Sequence, residues 1–242
     1  MKGIILAGGL GTRLSPLTRI TNKHLLPVYN KPMIFYPLQK LVDAGIKDIL
    51  IVTGGNNAGD FLRLLGNGAE FGLKHINYTY QKGEGGIADA LRLAEHFAAG
   101  EKIVVILGDN IFGTSIKQFV KKFQAQRAGA RILIKAVDDP ERFGVVELKR
   151  GKIISIKEKP KKPKSNQIIT GVYMYDHQIF DLIRTLKPSR RNELEITDVN
   201  RAYLKMKKLE YDVMRGWWTD CGTFESLFAA NKLVLSGQRI KK

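Results

Sequence analysis

From Gly3 to Ala7 the chain runs Gly-Ile-Ile-Leu-Ala and then breaks into glycines at positions 8, 9 and 11. A short apolar run bounded in this way predicts a strand buried on both faces that ends in a tight turn. A long loop follows. Met33, Ile34, Leu38, Leu41 and Val42 then recur at helical spacing. They predict a helix from Lys31-Pro32 to Ala44, with Pro32 suited to its first turn and Gly45 placed to end it. Asp48 to Thr53 reads as a second buried strand, and the alternation continues with a helix near 58–65, a strand near 76–80, a helix near 86–98 and a strand over 103–107. Alternation of this kind predicts a mainly parallel sheet covered by helices on both faces.

After a helix near 114–128 the rhythm changes to strands, over 131–137, 143–148, 152–157 and 168–175, with Arg150-Gly151 as a hairpin turn. Helices return near 177–185, 197–206 and 222–235, with a short strand around 209–214. No polar linker divides the chain and no internal repeat appears, so residues 1–242 read as one α/β domain with a mixed sheet. A chain of 242 residues that is 44% hydrophobic can bury one sizeable core. In open α/β sheets ligands bind beyond the carboxyl ends of the strands, where the strand order reverses. Residues that follow strands are therefore the ones to search.

Charge narrows the class of ligand. Forty Lys and Arg against 23 Asp and Glu leave a net +17, which points to anionic partners: phosphates, nucleic acid or membrane headgroups. The excess is uneven, since residues 117–165 hold 15 basic and 5 acidic side chains. The densest piece, Lys157 to Lys164, contains two prolines and reads as an exposed loop. One cysteine, Cys221, excludes an internal disulfide framework and a multi-cysteine zinc site, which fits a reducing compartment. The opening apolar run is too short for a signal peptide and no stretch is long enough to span a membrane, so a cytoplasmic protein is expected.

Candidate chemistry starts at the first strand end. Gly8, Gly9 and Gly11 let backbone N–H groups approach an anion, Thr12 and Arg13 follow, and the guanidinium of Arg13 adds bidentate recognition of phosphate oxygens. The loop lacks the Gly-Lys-Ser/Thr ending of a Walker A motif, and Leu14 stands where a dinucleotide fingerprint needs its third glycine. A second cation, Lys23, lies in a loop that can fold back over this cradle.

Asp109 follows the strand over 103–107 through Gly108, and Asp220 follows a Trp-rich strand-like segment. Two carboxylates with triphosphate oxygens can make a Mg²⁺ site, although each Asp can equally be a helix cap or turn former. Gln81 ends a predicted strand, and its amide offers a donor and an acceptor that match the N3–H and O4 edge of thymine or uracil.

The run Leu-Ala-Gly-Gly-Leu-Gly-Thr-Arg-Leu at 6–14, then Lys23-His24-Leu25-Leu26-Pro27-Val28 and Lys31-Pro32-Met33-Ile34, resembles the nucleotide-sugar pyrophosphorylases, most closely the glucose-1-phosphate thymidylyltransferases. Blocks at 85–88, 107–110, 143–145, 158–160, 170–173, 193–198 and 217–223 continue the likeness in that family's order. The resemblance implies a single Rossmann-like nucleotidyltransferase domain, with residues 1–115 binding nucleotide and 116–242 binding sugar phosphate. It implies that dTTP and glucose 1-phosphate react to give dTDP-glucose and pyrophosphate, with Mg²⁺ held by Asp109 and Asp220. Arg13 and Lys23 are then expected on the triphosphate, Lys159 and Arg191 on the sugar phosphate, and Gln81 with Gly86 on the base. Asn110, Glu158 and the backbone around Gly144 and Val172 are expected to face the sugar.

Two positions depart from the family pattern: Asn192 stands where a glycine is usual, and Cys221 where a small residue or Thr is usual. A uridylyltransferase, or one for another sugar phosphate, is the alternative within the class, and nucleic-acid binding is the remote one, disfavoured because no helix-turn-helix, zinc or RNA-binding signature appears. Longer relatives carry further C-terminal helices, so reduced feedback regulation is expected here, and a homo-oligomer is left open.

Overall fold

The computed structural model describes residues 1–55 and 58–239, without the side chains of Gln238 and Arg239. Strand β1 (Lys2–Ala7) leads through a short hairpin, β2 (Pro27–Val28) with β3 (Lys31–Pro32), to helix α1 (Phe35–Asp43). Then come β4 (Ile49–Gly54), α2 (Ala58–Leu65), β5 (Ile76–Gln81), α3 (Ile87–Arg92), α4 (Glu95–Ala98), β6 (Ile103–Leu107) and β7 (Asn110–Phe112). Next are α5 (Lys117–Ala125), β8 (Ala130–Ala136), β9 (Gly144–Lys149), β10 (Lys152–Glu158) and β11 (Gln167–Tyr175). The chain finishes with α6 (Gln178–Thr185), α7 (Ile196–Lys205), β12 (Leu209–Val213), β13 (Trp218–Asp220) and α8 (Phe224–Arg239).

One mixed sheet runs in the order β10-β9-β11-β6-β1-β4-β5, with β8 beside β11 and β12 beside β8. Pairing is parallel from β6 through β1 and β4 to β5, and again between β8 and β12. It is antiparallel where β11 meets β6, β8 and β9 and where β9 meets β10. The central strands bury both faces, as their continuous apolar runs require. Ile4, Leu6, Leu50, Val52, Ile103 and Val105 point to one side, under α3, α6 and α7. Ile5, Ala7, Ile49, Ile51, Val104 and Ile106 point to the other, under α1, α2 and α5. That strict alternation fixes the register, because a slip of one residue would exchange the two faces. Among the described residues no helix is long and apolar enough to cross a membrane.

The site follows from topology. From β1 the chain builds outward through β4 and β5, then crosses back so that β6 pairs on the other side of β1. The strand order therefore reverses between β1 and β6, where open α/β sheets bind ligands. Gly8 leaves one strand end there and Gly108-Asp109 the other, pinned together by the Gly108 N–H donating to the Leu6 carbonyl at 2.9 Å.

Three local expectations are corrected. Pro32 does not open the first helix: it pairs with Pro27 in the β2–β3 hairpin, and α1 begins at Phe35. The helix expected over 86–98 is divided at Leu93 and Ala94, whose N–H groups reach back only three residues, to Ala90 and Leu91. Asp220 does not follow its strand but ends it, in a two-stranded ribbon in which β13 runs antiparallel to β7.

Candidate active site

Lys23 reaches the cleft from a short 3₁₀ turn that Asn22 caps, its Oδ1 accepting from the His24 N–H at 3.0 Å. Gly9 and Gly11 lie against the Lys23 side chain, and Gly8 lies against the amide of Gln81. The ammonium of Lys23 donates to Asp109 Oδ2 at 2.5 Å, with both side chains largely buried. The other oxygen, Asp109 Oδ1, accepts from Asn110 Nδ2 at 2.9 Å. Asn110 is itself fixed, because its Oδ1 accepts from the Gly171 N–H at 3.0 Å and from Trp218 Nε1 at 2.8 Å. The β8–β11 register shifts between Ile169 and Tyr173, and Asn110 takes up the Gly171 N–H inside that irregular stretch. A buried side chain thus satisfies two donors and aims one carboxylate.

The β7–β13 ribbon brings the second carboxylate. Asp220 stands opposite Asn110 in the register, and the Cys221 N–H donates to the Asp109 carbonyl at 2.9 Å. Asp220 accepts from Arg142 Nη2 through both oxygens, at 3.0 and 3.2 Å. Arg142 also pairs with Asp139 and lies over the ring of Phe143, 5.1 Å from its centroid. Arg142 carries no sequence signal beyond its place immediately before Phe143-Gly144-Val145. Arg13 packs across Gly222, where a Cβ would stand 2.8 Å from the guanidinium and 3.0 Å from Asp220 Oδ2.

The two carboxylates differ in electrostatics. Burial pushes Asp109 upward, but the Lys23 ammonium and the hydrogen bonds from Lys23 and Asn110 outweigh it and hold the group below the ordinary carboxylate range. For Asp220, burial and then repulsion from Asp109 prevail over Arg142, Arg13 and Lys23, and its pKa is raised. Two oxygen donors that disfavour each other's charge form a set that a hard divalent cation relieves, and Mg²⁺ takes one or two carboxylates together with phosphate oxygens. Among the described residues no three His, Cys, Asp or Glu gather to hold a metal on protein ligands alone, so a cation here would need those phosphates.

The second half of the cleft lies under β9, β10 and β11. Lys159 follows β10 in a left-handed conformation, φ 38°, with its N–H donating to the Phe143 carbonyl at 3.0 Å. Glu158 accepts from the Thr197 hydroxyl beside Gly144. Burial raises its pKa, helped by nearby Glu195 and opposed by Thr197, Lys159 and Arg191. Arg191 is bidentate to Glu195, at 2.8 and 3.0 Å, and also pairs with Glu193 at 3.2 Å and Glu158 at 3.5 Å. Asn192 keeps the left-handed backbone, φ 62°, that a glycine would adopt, so its side chain does not alter the turn that presents Arg191. Cys221 is fully buried among Leu14, Met33, Ile111 and Ala230, a space-filling thiol.

Two cavities meet here, of about 310 Å³ on the glycine-loop side and about 200 Å³ on the Glu158 side. Gly8, Gly9, Lys23, Gln81 and Gly86 line the first, and Asn110, Gly144, Glu158 and Asp220 the second; Arg13, Asp109, Lys159 and Arg191 line both. The expected site residues therefore converge, with two exceptions. Gly11 lines neither cavity and Thr12 sits on the outer side of the loop with Leu10 and Thr18; the Val172 side chain is packed in the core, while Gly171 and Tyr173 on either side of it line the second cavity. The loop at Gly85 and Gly86 is tied to the second half, since the Leu194 N–H donates to Gly85 and the Ala88 N–H to Leu194.

A glycine-lined cavity at the strand-order reversal joins a second cavity through Asp109 and three cations, Arg13, Lys159 and Arg191, an arrangement chemically able to hold two phosphate compounds side by side. Residues 2–237 match the nucleotidyl transferase family model, and the chain belongs to that family. It is 48% identical to a glucose-1-phosphate thymidylyltransferase of Neisseria meningitidis, over 100% of this chain and 85% of that protein. The crystal structure of a candidate glucose-1-phosphate thymidylyltransferase from Bacillus anthracis, in complex with sucrose, superposes with a TM-score of 0.92 at 54% identity, covering 96% of this chain and 94% of that one. A UDP-glucose pyrophosphorylase in complex with UDP-glucose superposes at 0.88 with 27% identity, covering 97% and 98%.

Proposed function

We propose that this chain is a Mg²⁺-dependent glucose-1-phosphate thymidylyltransferase, which joins dTTP and α-D-glucose 1-phosphate into dTDP-glucose with release of pyrophosphate. The observation that carries the reading is that two cavities share a wall of Arg13, Asp109, Lys159 and Arg191, with Lys23 on the glycine-loop side and Asp220 on the other. The obstacle to the reaction is repulsion between two polyanions, and the cations gathered around this shared wall support the reading.

Residues 1–115 hold the nucleotide and 116–242 the sugar phosphate. Arg13 and Lys23 take the triphosphate and the leaving pyrophosphate, while Lys159 and Arg191 take the sugar phosphate. For Arg191 this means exchanging some of its three carboxylate partners for the substrate. Glu158 and Gly144 face the sugar hydroxyls. Asn110 contributes by holding Asp109, since its amide oxygen is fully engaged. Mg²⁺ held by Asp109 and Asp220 supplies Lewis-acid neutralisation of phosphate oxygens.

The attacking phosphate oxygen is already ionised at neutral pH, so no protein nucleophile is required. Positioning the two substrates in line can supply roughly 7 to 11 kcal/mol of the barrier. Thymine and uracil differ by one methyl, worth about 1 to 3 kcal/mol in a pocket, so UTP is the closest competitor. The 48% identity to the thymidylyltransferase against 27% to the UDP-glucose pyrophosphorylase supports dTTP. The test is pyrophosphate release from dTTP, UTP, ATP, CTP and GTP with glucose 1-phosphate and Mg²⁺. Highest kcat/KM with dTTP is expected; preference for a purine triphosphate, or no release with any, overturns the reading.

A further inference from the structure

Gln81 ends β5 with only 5% of its surface exposed. Its Nε2 donates to Asp89 Oδ2 at 3.0 Å and to the Gly86 carbonyl at 3.3 Å. Both partners offer only lone pairs, so a flipped amide would set Oε1 against two oxygens. Asp89, in the first turn of α3, is in turn gripped by Arg92 Nη2 at 2.8 Å. It sits against Gly85, where a Cβ would collide with its carboxylate.

With its nitrogen engaged, Gln81 turns Oε1 to the glycine loop; a Cβ on Gly8 would stand 2.6 Å from it. Among the described residues no protein donor reaches that oxygen, and no protein acceptor takes the Gly86 N–H. Gln81, Gly8 and Gly86 all line the larger cavity.

We propose that Asp89 determines which base is accepted, by locking the Gln81 amide so that the cavity presents an acceptor rather than a donor. A ring N–H matches Gln81 Oε1, and a neighbouring base carbonyl matches the Gly86 N–H. Thymine and uracil carry that pair. Cytosine carries the reverse, a ring nitrogen lone pair beside an amino group, so lone pair meets lone pair and N–H meets N–H. Asp89 touches no substrate and is a positioning residue. The inference rests on the base-site reading of Gln81 proposed above. A purely structural role for Asp89, favouring the N-terminus of α3, would not distinguish one nucleotide from another.

The test is the ratio of kcat/KM for dTTP over dCTP in the wild type, Asp89→Ala, Asp89→Asn and Gln81→Ala. With only the longer bond to the Gly86 carbonyl left to hold its nitrogen, the amide turns more readily, and the ratio in Asp89→Ala falls by about tenfold, mainly through KM, because the site penalises the wrong hydrogen-bond pattern less. Asp89→Asn keeps an acceptor oxygen and stays near the wild-type ratio. Asp89→Leu, which keeps the branched skeleton of Asp without its oxygens, gives a second measurement should Asp89→Ala prove unstable. An unchanged ratio in Asp89→Ala or Asp89→Leu, with a collapsed ratio in Gln81→Ala, overturns the role of Asp89 and leaves the base site intact. A ratio in Asp89→Asn as low as in Asp89→Ala also overturns it. Gln81→Ala with the wild-type ratio overturns the base-site reading itself.

Discussion

His24 is the acid-sensitive point of this fold. Its ring is 2% exposed, with Nδ1 2.7 Å from Asn22 Oδ1 and the Lys23 ammonium adjacent in the chain. Burial first, and Lys23 second, hold its pKa at about 3, against smaller upward pulls from Asp109 and the Ala7 backbone. In the unfolded chain the same imidazole titrates near 6.5. Below that value the unfolded state binds a proton that the folded state refuses, so stability is complete above about pH 6.5 and drains as pH falls toward 3. Each pH unit costs at most about 1.36 kcal/mol, which comes to about 2 kcal/mol by pH 5 and about 4 kcal/mol by pH 3, where the folded imidazole itself begins to titrate. The window from 6.5 to 5 is the informative one, because carboxylates titrate mostly below it.

Urea unfolding of the nucleotide-free protein, in chelator, should therefore show an unfolding free energy that declines by about 2 kcal/mol between pH 6.5 and 5. His24→Gln keeps an amide donor for Asn22 and should start lower but lose less across that window. A level wild-type curve, or a glutamine variant with the wild-type slope, would refute the argument.

Asp109→Asn and Asp220→Asn should each lose about three orders of magnitude in kcat while remaining folded, read by pyrophosphate release and circular dichroism. Asp109→Asn should also be less stable by about 1 to 3 kcal/mol, since Lys23 stays buried beside a neutral amide. Gly222→Ala forces a methyl group against Arg13 and Asp220, and kcat/KM should drop by about a hundredfold with the melting temperature little changed. Asn110→Ala strands the Gly171 N–H and the Trp218 Nε1–H, each worth about 1 to 3 kcal/mol when left without an acceptor, and should lower the urea midpoint.

Much of the fold was written in local pattern. The runs that became β1, β4 and β6 are apolar at every position because both faces are covered, and that is visible without knowing any partner. The division at Leu93 and Ala94 was not visible, because Leu91 to Ala94 to Ala98 reads as one apolar stripe whether the turn between closes over three residues or four. Pro32 suits a helix start as well as an extended pair, and only Pro27 across the hairpin decides between them. Asp109 could be found because it follows a strand through a glycine. Arg142 and Asp89 could not, since each acts through a partner, Asp220 or Gln81, that sequence alone does not place beside it. The pairing of β7 with β13 was hidden for the same reason, and it is what turns two separated aspartates into neighbours.

That ribbon has a consequence for a nascent polypeptide. The glycine loop emerges from the ribosome early, together with Lys23 and Asp109. The second aspartate comes near the end, and its place opposite Asn110 exists only once β13 has zipped onto β7. A partly translated chain thus carries Asp109 without Asp220, and the two carboxylates become neighbours in a single late docking event.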